Sequence, residues 1–185
     1  QFNVIQFNSS TSALFRNSVA ASTTNVATAK RYVSALTANG GTEMRSAIER
    51  AMAVPPNEEH LRQIIFITDG SVGNEDALFS LIEQQLGNAR LFTVGIGSAP
   101  NSWFMRKAAE AGRGAFTFIS ALHEVSEKMQ RLFRKIERPQ ITDITIQWPD
   151  GTSVESFPEI IPDLYAGEPV FVRARLTHAM RASDI

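Results

Sequence analysis

The chain contains no cysteine, and this absence excludes several kinds of chemistry. Without thiols there are no disulfide bonds, no thiolate metal ligands and no cysteine nucleophile. The compartment stays open, because the absence of disulfides does not by itself distinguish the inside of a cell from the outside.

The chain also lacks an excess of charge of either sign, with 18 basic and 19 acidic residues among 185. A balanced surface produces no broad field that attracts nucleic acid or anionic lipid, so we expect neither as a partner. No apolar stretch approaches the ~20 residues that a membrane-spanning helix needs. The opening residues, 1–7, already have a strand pattern, which favours an excised piece whose N-terminal signals would not be visible here.

Three apolar runs have the character of buried strands, at residues 62–68, 89–97 and 114–119. A helical pattern follows each run. Strands that alternate with helices run parallel and are joined by right-handed crossovers. We therefore expect a doubly wound, mostly parallel, open α/β sheet.

Five helices are predicted from apolar side chains that recur at helical spacing. Their predicted first or capping residues are Thr23, Thr42, Asn74, Asn101 and Ser120. The first helix should end at residues 39–41 and the second at Pro55 and Pro56. The predicted core face of the last helix is Val125, Met129, Leu132, Phe133 and Ile136.

After Pro139 the pattern changes to alternation at period two, with turn signals at residues 149–151 and 166–168. This pattern indicates about three antiparallel strands, one of them at residues 141–148. The predicted organisation is therefore an α/β domain over residues 1–138 and a β-rich segment over residues 139–185.

Asp69 lies at the end of an apolar strand, and Thr42 follows a Gly-Gly turn. Ligands of doubly wound sheets bind beyond the carboxyl ends of the strands. Carboxylate and hydroxyl oxygens are hard donors that suit Mg²⁺ or Mn²⁺. Spacing alone favours the ordinary alternative, in which Asp69 and Gly70 form a turn and Thr42 is an N-cap.

No pattern indicates catalytic or cofactor-binding residues. The motif at residues 95–97 departs from a dinucleotide fingerprint, because Pro100 stands where the third glycine belongs. Ser71 has no matched histidine base, so a nucleophilic triad is not expected. Trp103 has two open interpretations, a packed side chain or a contact with a partner.

Four segments together resemble the von Willebrand factor type A domain, and most closely the subfamily of inter-alpha-trypsin inhibitor heavy chains and their bacterial surface relatives. They are NGGTEMRSAI, IIFITDGSVGNE, RLFTVGIGSAPN and AAEAGRGAF. The resemblance covers about residues 1–137, and the tail resembles the β-rich segment that follows this domain in the same subfamily.

The resemblance implies a metal-ion-dependent adhesion site in which Thr42 and Asp69 match two of the ligands. The cation would be Mg²⁺, or alternatively Mn²⁺ or Ca²⁺. The Asp-x-Ser-x-Ser loop of the family is absent before Thr42. The family's first strand and helix would then lie upstream of Gln1. Because two oxygens are too few, we expect weak or no metal binding by this chain alone.

The missing strand is central in the family order, so two strands would face each other across a gap of about 10 Å. We expect something to pair there: the tail strand at 141–148, a strand of a second copy, or an upstream segment.

The resemblance implies a non-enzymatic adhesion module that binds an acidic residue of a protein partner. Specificity is expected from the loops at 8–12, 40–43, 70–75 and 97–102. It also implies an extracellular, cell-surface or periplasmic location. The alternatives are a structural spacer, or a metal-assisted hydrolase, for which no general base stands out near Asp69.

Overall fold

The computed structural model describes residues 1–53, 60–70, 73–97, 101–137, 139–149, 153–165 and 169–176. The chain divides into two compact units. The first unit contains residues 1–64 and 70–89, and the second contains residues 65–69 and 90–185. The predicted domain boundary near residue 138 stays a prediction.

The first unit begins with an antiparallel hairpin of strands β1 (Ile5–Phe7) and β2 (Thr11–Ala13). Three helices follow: α1 (Thr23–Ser34), α2 (Met44–Met52) and α3 (Glu75–Gln85). Helices α2 and α3 pack together through apolar faces. Their buried residues are Met44, Ala47, Ile48, Met52, Leu78, Leu81 and Ile82.

The second unit is built on three parallel strands in the order β3 (Gln63–Thr68), β4 (Arg90–Ile96) and β5 (Phe116–Ile119). Strand β3 belongs to this unit from its third residue onward. Helix α4 (Ser102–Ala111) packs on β4 and β5, and helix α5 (Val125–Ile136) packs on β5. The predicted α/β fold with a parallel sheet is confirmed.

One part of the core of the second unit lies between the sheet and α5. Its buried members are Phe92, Val94, Ile119, Leu132, Ile136 and Tyr165. Full burial of an apolar side chain of this size contributes about 1.5–3 kcal/mol. Phe133 is 50% exposed, so its predicted place in this core is wrong. No helix within the described ranges is long and apolar enough to cross a membrane.

The tail forms two antiparallel pairs, in which β6 (Pro139–Ile141) pairs with β8 (Leu164–Tyr165) and β7 (Val154–Phe157) pairs with β9 (Arg173–Leu176). The predicted strand at 141–148 is wrong beyond its first residue. It therefore does not supply a strand to the parallel sheet.

Asp143 explains why that strand ends. Its backbone is left-handed, with φ 54°, and this interrupts an extended chain. Its carboxylate lies on the Arg90 guanidinium, at 3.2 Å from Nη2. Of the predicted turn at 149–151, only Pro149 belongs to the described residues. The predicted turn at 166–168 lies wholly outside them.

Helix starts were predicted with mixed success. Asn101 caps α4, because its Oδ1 accepts from Phe104 N at 3.0 Å. Asn74 occupies the N-cap position of α3 without a capping hydrogen bond. Ser120 does not cap α5, because its amide and hydroxyl both donate to the Glu124 carboxylate. The helix begins only after a 3₁₀ turn, Leu122–Glu124.

Two predictions around the second helix are also revised. Helix α1 already ends at Ser34, before the predicted Asn-Gly-Gly stop. Helix α2 begins at Met44 after the N-cap residue Glu43, so Thr42 is not a helix cap. Pro55 and Pro56 lie outside the described residues.

Candidate functional site

Asp69 directly follows β3, at the end of the sheet that we call the carboxyl edge. Parallel strands end at the same edge, so the residues after β4 and β5 lie there too. Phe66 and Thr68 are buried and anchor the strand, whereas Asp69 is exposed. The buried strand therefore fixes the backbone beneath an accessible carboxylate.

Thr42 is an exposed residue of the loop before α2 in the first unit. Its side chain lies against Gly70, the residue that follows Asp69 in the chain. A Cβ atom on Gly70 would come within 3.0 Å of Thr42 Oγ1 and 3.4 Å of Thr42 Cγ2. The approach is tighter than most Cβ contacts, so an alanine at position 70 would require the Thr42 side chain to shift by a few tenths of an ångström.

Asn8 and Ser9, at the tip of the β1–β2 hairpin, fall within the predicted specificity loop at 8–12, but their contact with the loop that carries Thr42 was not predicted. Ser9 Oγ accepts a hydrogen bond from Gly41 N at 2.8 Å, and the Asn8 carbonyl accepts one from Glu43 N at 2.7 Å. The available signal was the Asn-Ser-Ser composition, which is typical of a turn. Nothing in that composition indicated what the turn would contact.

Other groups of the carboxyl edge follow β4 and β5. Trp103, in the first turn of α4, is 60% exposed, and Leu122 is 85% exposed. Packing therefore accounts for only part of the Trp103 surface, and the interpretation as a partner contact stays open. Of the predicted specificity loops, residues 71–72 and 98–100 lie outside the described residues.

Glu124 is a carboxylate of this edge that is already engaged. The Ser120 hydroxyl donates to Oε2 at 2.6 Å, and Lys128 Nζ lies at 3.2 Å. These hydrogen bonds, with those from the Ser120 and Ala121 amides, lower the Glu124 pKa to about 2. The Glu124 carboxylate is therefore already bound by the loop after β5 and by Lys128 of α5.

The opposite end of the sheet, the amino edge, holds a buried ion pair. Arg90, the first residue of β4, donates from Nε to Asp163 Oδ2 at 2.6 Å and from Nη2 to Oδ1 at 3.0 Å. Burial disfavours the charge on Arg90, but the hydrogen bonds and charges of Asp163 and Asp143 outweigh it and raise its pKa. The pair joins β4 to the tail.

A cavity of about 350 Å³ lies beside this ion pair, with Arg113, Asp143 and Trp148 in its wall. Trp148 is 38% exposed and lines this cavity. The cavity lies near the amino edge, because Arg113 Nη1 is 3.8 Å from the same Asp143 oxygen that contacts Arg90. It is therefore separate from the edge that carries Asp69.

A family model described as von Willebrand factor type A domain matches residues 1–118. The chain belongs to the von Willebrand factor type A family. Domains of this family are generally non-enzymatic modules of protein–protein interaction and adhesion, and they typically bind a divalent metal ion.

Relatives with this A domain are much longer than the chain. A von Willebrand factor A domain-containing protein of Dictyostelium discoideum is 28% identical over 177 residues, which cover 95% of this chain and 21% of the relative. The von Willebrand factor A domain-containing protein 5B1 of Mus musculus is 28% identical over 170 residues, which cover 90% of this chain and 14% of the relative. The chain thus spans about a fifth of the first relative and less of the second.

A solved structure of a von Willebrand factor type A protein from Catenulispora acidiphila superposes with a TM-score of 0.73. It is 22% identical, and the match covers 94% of this chain and 45% of that one. At this identity the likeness concerns the fold.

The donor atoms of this A domain fit a divalent cation in kind but not in number. Thr42 and Asp69 offer hard oxygens, which suit Mg²⁺. Within the described ranges, no three His, Cys, Asp or Glu side chains come together as a metal-binding group. Mg²⁺ takes about six oxygen ligands, so further donors would have to join these two residues.

Proposed function

We propose that the chain is the ligand-binding A domain of a longer adhesion protein. Asp69 and Thr42 each contribute one oxygen to a divalent cation, Mg²⁺ or alternatively Mn²⁺ or Ca²⁺, and residues outside this chain contribute the rest. When bound, the cation attracts an acidic side chain of a protein partner. Family membership supports this proposal, because A domains are interaction modules that typically bind a metal ion.

One observation carries the assignment of Thr42. Its hydroxyl lies against Gly70, next in sequence to Asp69, and it does not serve as the helix cap that would otherwise explain a threonine at this position. An exposed polar side chain that caps no helix and lies against Gly70 can serve as a cation ligand in this proposal.

The finer assignment is also part of the proposal. The four matching segments and the β-rich tail favour the inter-alpha-trypsin inhibitor heavy chain-like subfamily and a bacterial surface protein. We expect the full-length protein outside the cell membrane, at the surface or in the periplasm. Protease treatment of cells whose outer envelope has been permeabilised should then digest it, whereas a cytoplasmic marker survives.

Strand pairing with another segment is a further part of the proposal. Among the described strands the parallel sheet has the order β3-β4-β5, with β3 at its end. A strand of a second copy or of an upstream segment would pair beside β3 in this proposal. Light scattering of the 185-residue chain tests this, since a dimer that disappears when an upstream segment is added would favour the upstream segment.

The decisive experiment is a titration of the full-length protein with Mn²⁺, followed by water proton relaxation. Asp69→Ala should weaken Mn²⁺ binding at least about tenfold, because even residues that only support a metal ligand contribute about 10- to 100-fold to affinity. Glu83→Ala, an exposed acidic residue near the end of α3, is the matched control and should leave binding unchanged.

The alternatives predict different outcomes. A structural spacer would bind Mn²⁺ and partner equally well with and without Asp69. A metal-assisted hydrolase would turn over generic ester or phosphate substrates in the presence of Mn²⁺, and this turnover would disappear in Asp69→Ala.

A further inference from the structure

The loop that carries Thr42 is fixed on both sides by the hairpin tip, which we define as residues 8–10. On one side Gly41 N donates to Ser9 Oγ at 2.8 Å. On the other side Glu43 N donates to the Asn8 carbonyl at 2.7 Å. The two amides that flank Thr42 are therefore both bound to one short turn.

The fit between loop and hairpin tip is also tight sterically. Gly40 has φ +83°, and a Cβ atom there would lie 2.6 Å from Ser9 Oγ. A left-handed backbone with no room for a side chain favours glycine strongly. The loop therefore rests directly on the Ser9 hydroxyl.

The hairpin tip is itself held in place. Asn8 Oδ1 accepts from Ser10 N at 2.9 Å, which closes the turn locally. Thr11 Oγ1 and Ser46 Oγ lie 2.6 Å apart, which ties β2 to the first turn of α2. The support beneath Thr42 is thus connected to the helix that follows it.

We propose that Asn8 and Ser9 are positioning residues that set the place of the Thr42 hydroxyl. This inference rests on the proposed function of Thr42 as a cation ligand. Neither residue touches the cation in this proposal. They limit the conformations of residues 40–43, so that the hydroxyl is already in place and little ordering is required when the cation binds.

Two measurements on matched variants test the proposal. Ser9→Ala removes the acceptor of Gly41 N. Ser12→Ala, on the same hairpin, is the control, because the Ser12 hydroxyl pairs with Tyr32 of α1. Amide hydrogen exchange at Gly41 is measured by NMR in the 185-residue chain. It should become about three- to tenfold faster in Ser9→Ala and stay unchanged in Ser12→Ala, because loss of one hydrogen bond weakens protection by about that factor.

The second measurement is Mn²⁺ affinity of the full-length protein. Ser9→Ala should weaken it by a similar three- to tenfold, and Ser9→Thr, which keeps a hydroxyl on Cβ, should restore most of the affinity. A purely structural role would leave Mn²⁺ affinity unchanged at temperatures where the variant is fully folded.

Each failure has its own signature. Unchanged exchange at Gly41 in Ser9→Ala overturns the proposed contact. Faster exchange with unchanged Mn²⁺ affinity overturns the positioning role, while loss of Mn²⁺ binding in Asp69→Ala keeps the proposed function. If Asp69→Ala and Thr42→Ala both bind Mn²⁺ normally, the proposed function fails, and the positioning role fails with it.

Discussion

The two edges of the parallel sheet place an aspartate in opposite environments. At the carboxyl edge, Asp69 is exposed on the residue after β3. At the amino edge, the Asp163 side chain is 1% exposed and takes two hydrogen bonds from Arg90, whose side chain is also 1% exposed. An aspartate side chain is therefore exposed to solvent at one edge and buried in the interior at the other.

This difference separates stability from binding. A buried charge is tolerated only with its partner, so Asp163 is committed to the fold. An exposed carboxylate costs little to keep and remains available to a ligand. The comparison shows that the amino edge holds the tail on the sheet, and it supports the proposal that the carboxyl edge serves recognition.

The largest expected effect is at the amino edge. Asp163→Ala leaves the Arg90 guanidinium buried without its main partner, and should lower the free energy of unfolding by about 3–5 kcal/mol. Urea denaturation of the 185-residue chain, monitored by circular dichroism, measures this change.

Two variants sharpen that result. Asp143→Ala removes the contact between Arg90 and Asp143. Because the Asp143 side chain is 72% exposed, the free energy of unfolding should fall by about 1 kcal/mol or less. The double variant Arg90→Met, Asp163→Leu removes both charges and should recover most of the loss. A loss below about 1 kcal/mol in Asp163→Ala would show that the pair contributes little.

The next effect concerns Gly70, beside the predicted ligand Thr42. Gly70→Ala places a methyl group 3.0 Å from Thr42 Oγ1, and overpacking of this kind costs about 1–3 kcal/mol. Gly73→Ala is the control, because no atom lies within 4 Å of the added Cβ. The free energy of unfolding of each variant is measured by urea denaturation. The difference between the two values cancels the effect that replacing glycine by alanine has on the unfolded chain.

A double variant tests whether the Thr42 side chain causes the steric conflict with a methyl group at position 70. Thr42→Ala removes Oγ1 and Cγ2, so Thr42→Ala with Gly70→Ala should be less destabilised than the sum of the single changes. Additive losses would mean that the two residues do not interact.

Asp69 should show the opposite profile to Asp163. Asp69→Ala changes an exposed residue and should alter the free energy of unfolding by no more than about 0.5 kcal/mol. The same variant should lose Mn²⁺ binding in the full-length protein. A large loss of stability would make Asp69 a structural residue and remove the contrast between the edges.

The sequence predicted the carboxyl edge better than the amino edge, for a physical reason. Apolar runs with helices between them identify β3, β4 and β5, and strand ends follow directly from the runs. Asp69 was therefore found as the polar residue at a strand end. Its role, like that of Thr42, stays a prediction.

The amino edge depends on contacts that no local pattern encodes. Arg90 opens an apolar run and has the appearance of a solvated flank, but its partner Asp163 is 73 residues away. Asp143 was placed within a predicted strand, because alternation there is regular, and its contact with Arg90 was not visible. The hydrogen bond between Ser9 and Gly41, which are 32 residues apart, was not predicted for the same reason.

The smallest expected effect is the pH response of Glu124, the engaged carboxylate of the carboxyl edge. Its pKa is lowered from 4.5 to about 2, first by the Ser120 hydroxyl and then by Lys128. A depressed folded-state pKa stabilises the fold above the unfolded value, and this contribution is lost as the pH falls from about 4.5 through 2. Stability should therefore decline over this acidic window and not near neutral pH.

Ser120→Ala tests the cause of that shift. Without the hydroxyl donor, the Glu124 pKa should rise toward its ordinary value, as NMR titration of the side-chain carboxyl carbon would show. Ser126→Ala is the control, because the Ser126 hydroxyl accepts from Gln130 Nε2 and is not among the donors that lower the Glu124 pKa. An unchanged pKa in Ser120→Ala would mean that Lys128 and the Ser120 and Ala121 amides are sufficient to lower the Glu124 pKa without the Ser120 hydroxyl.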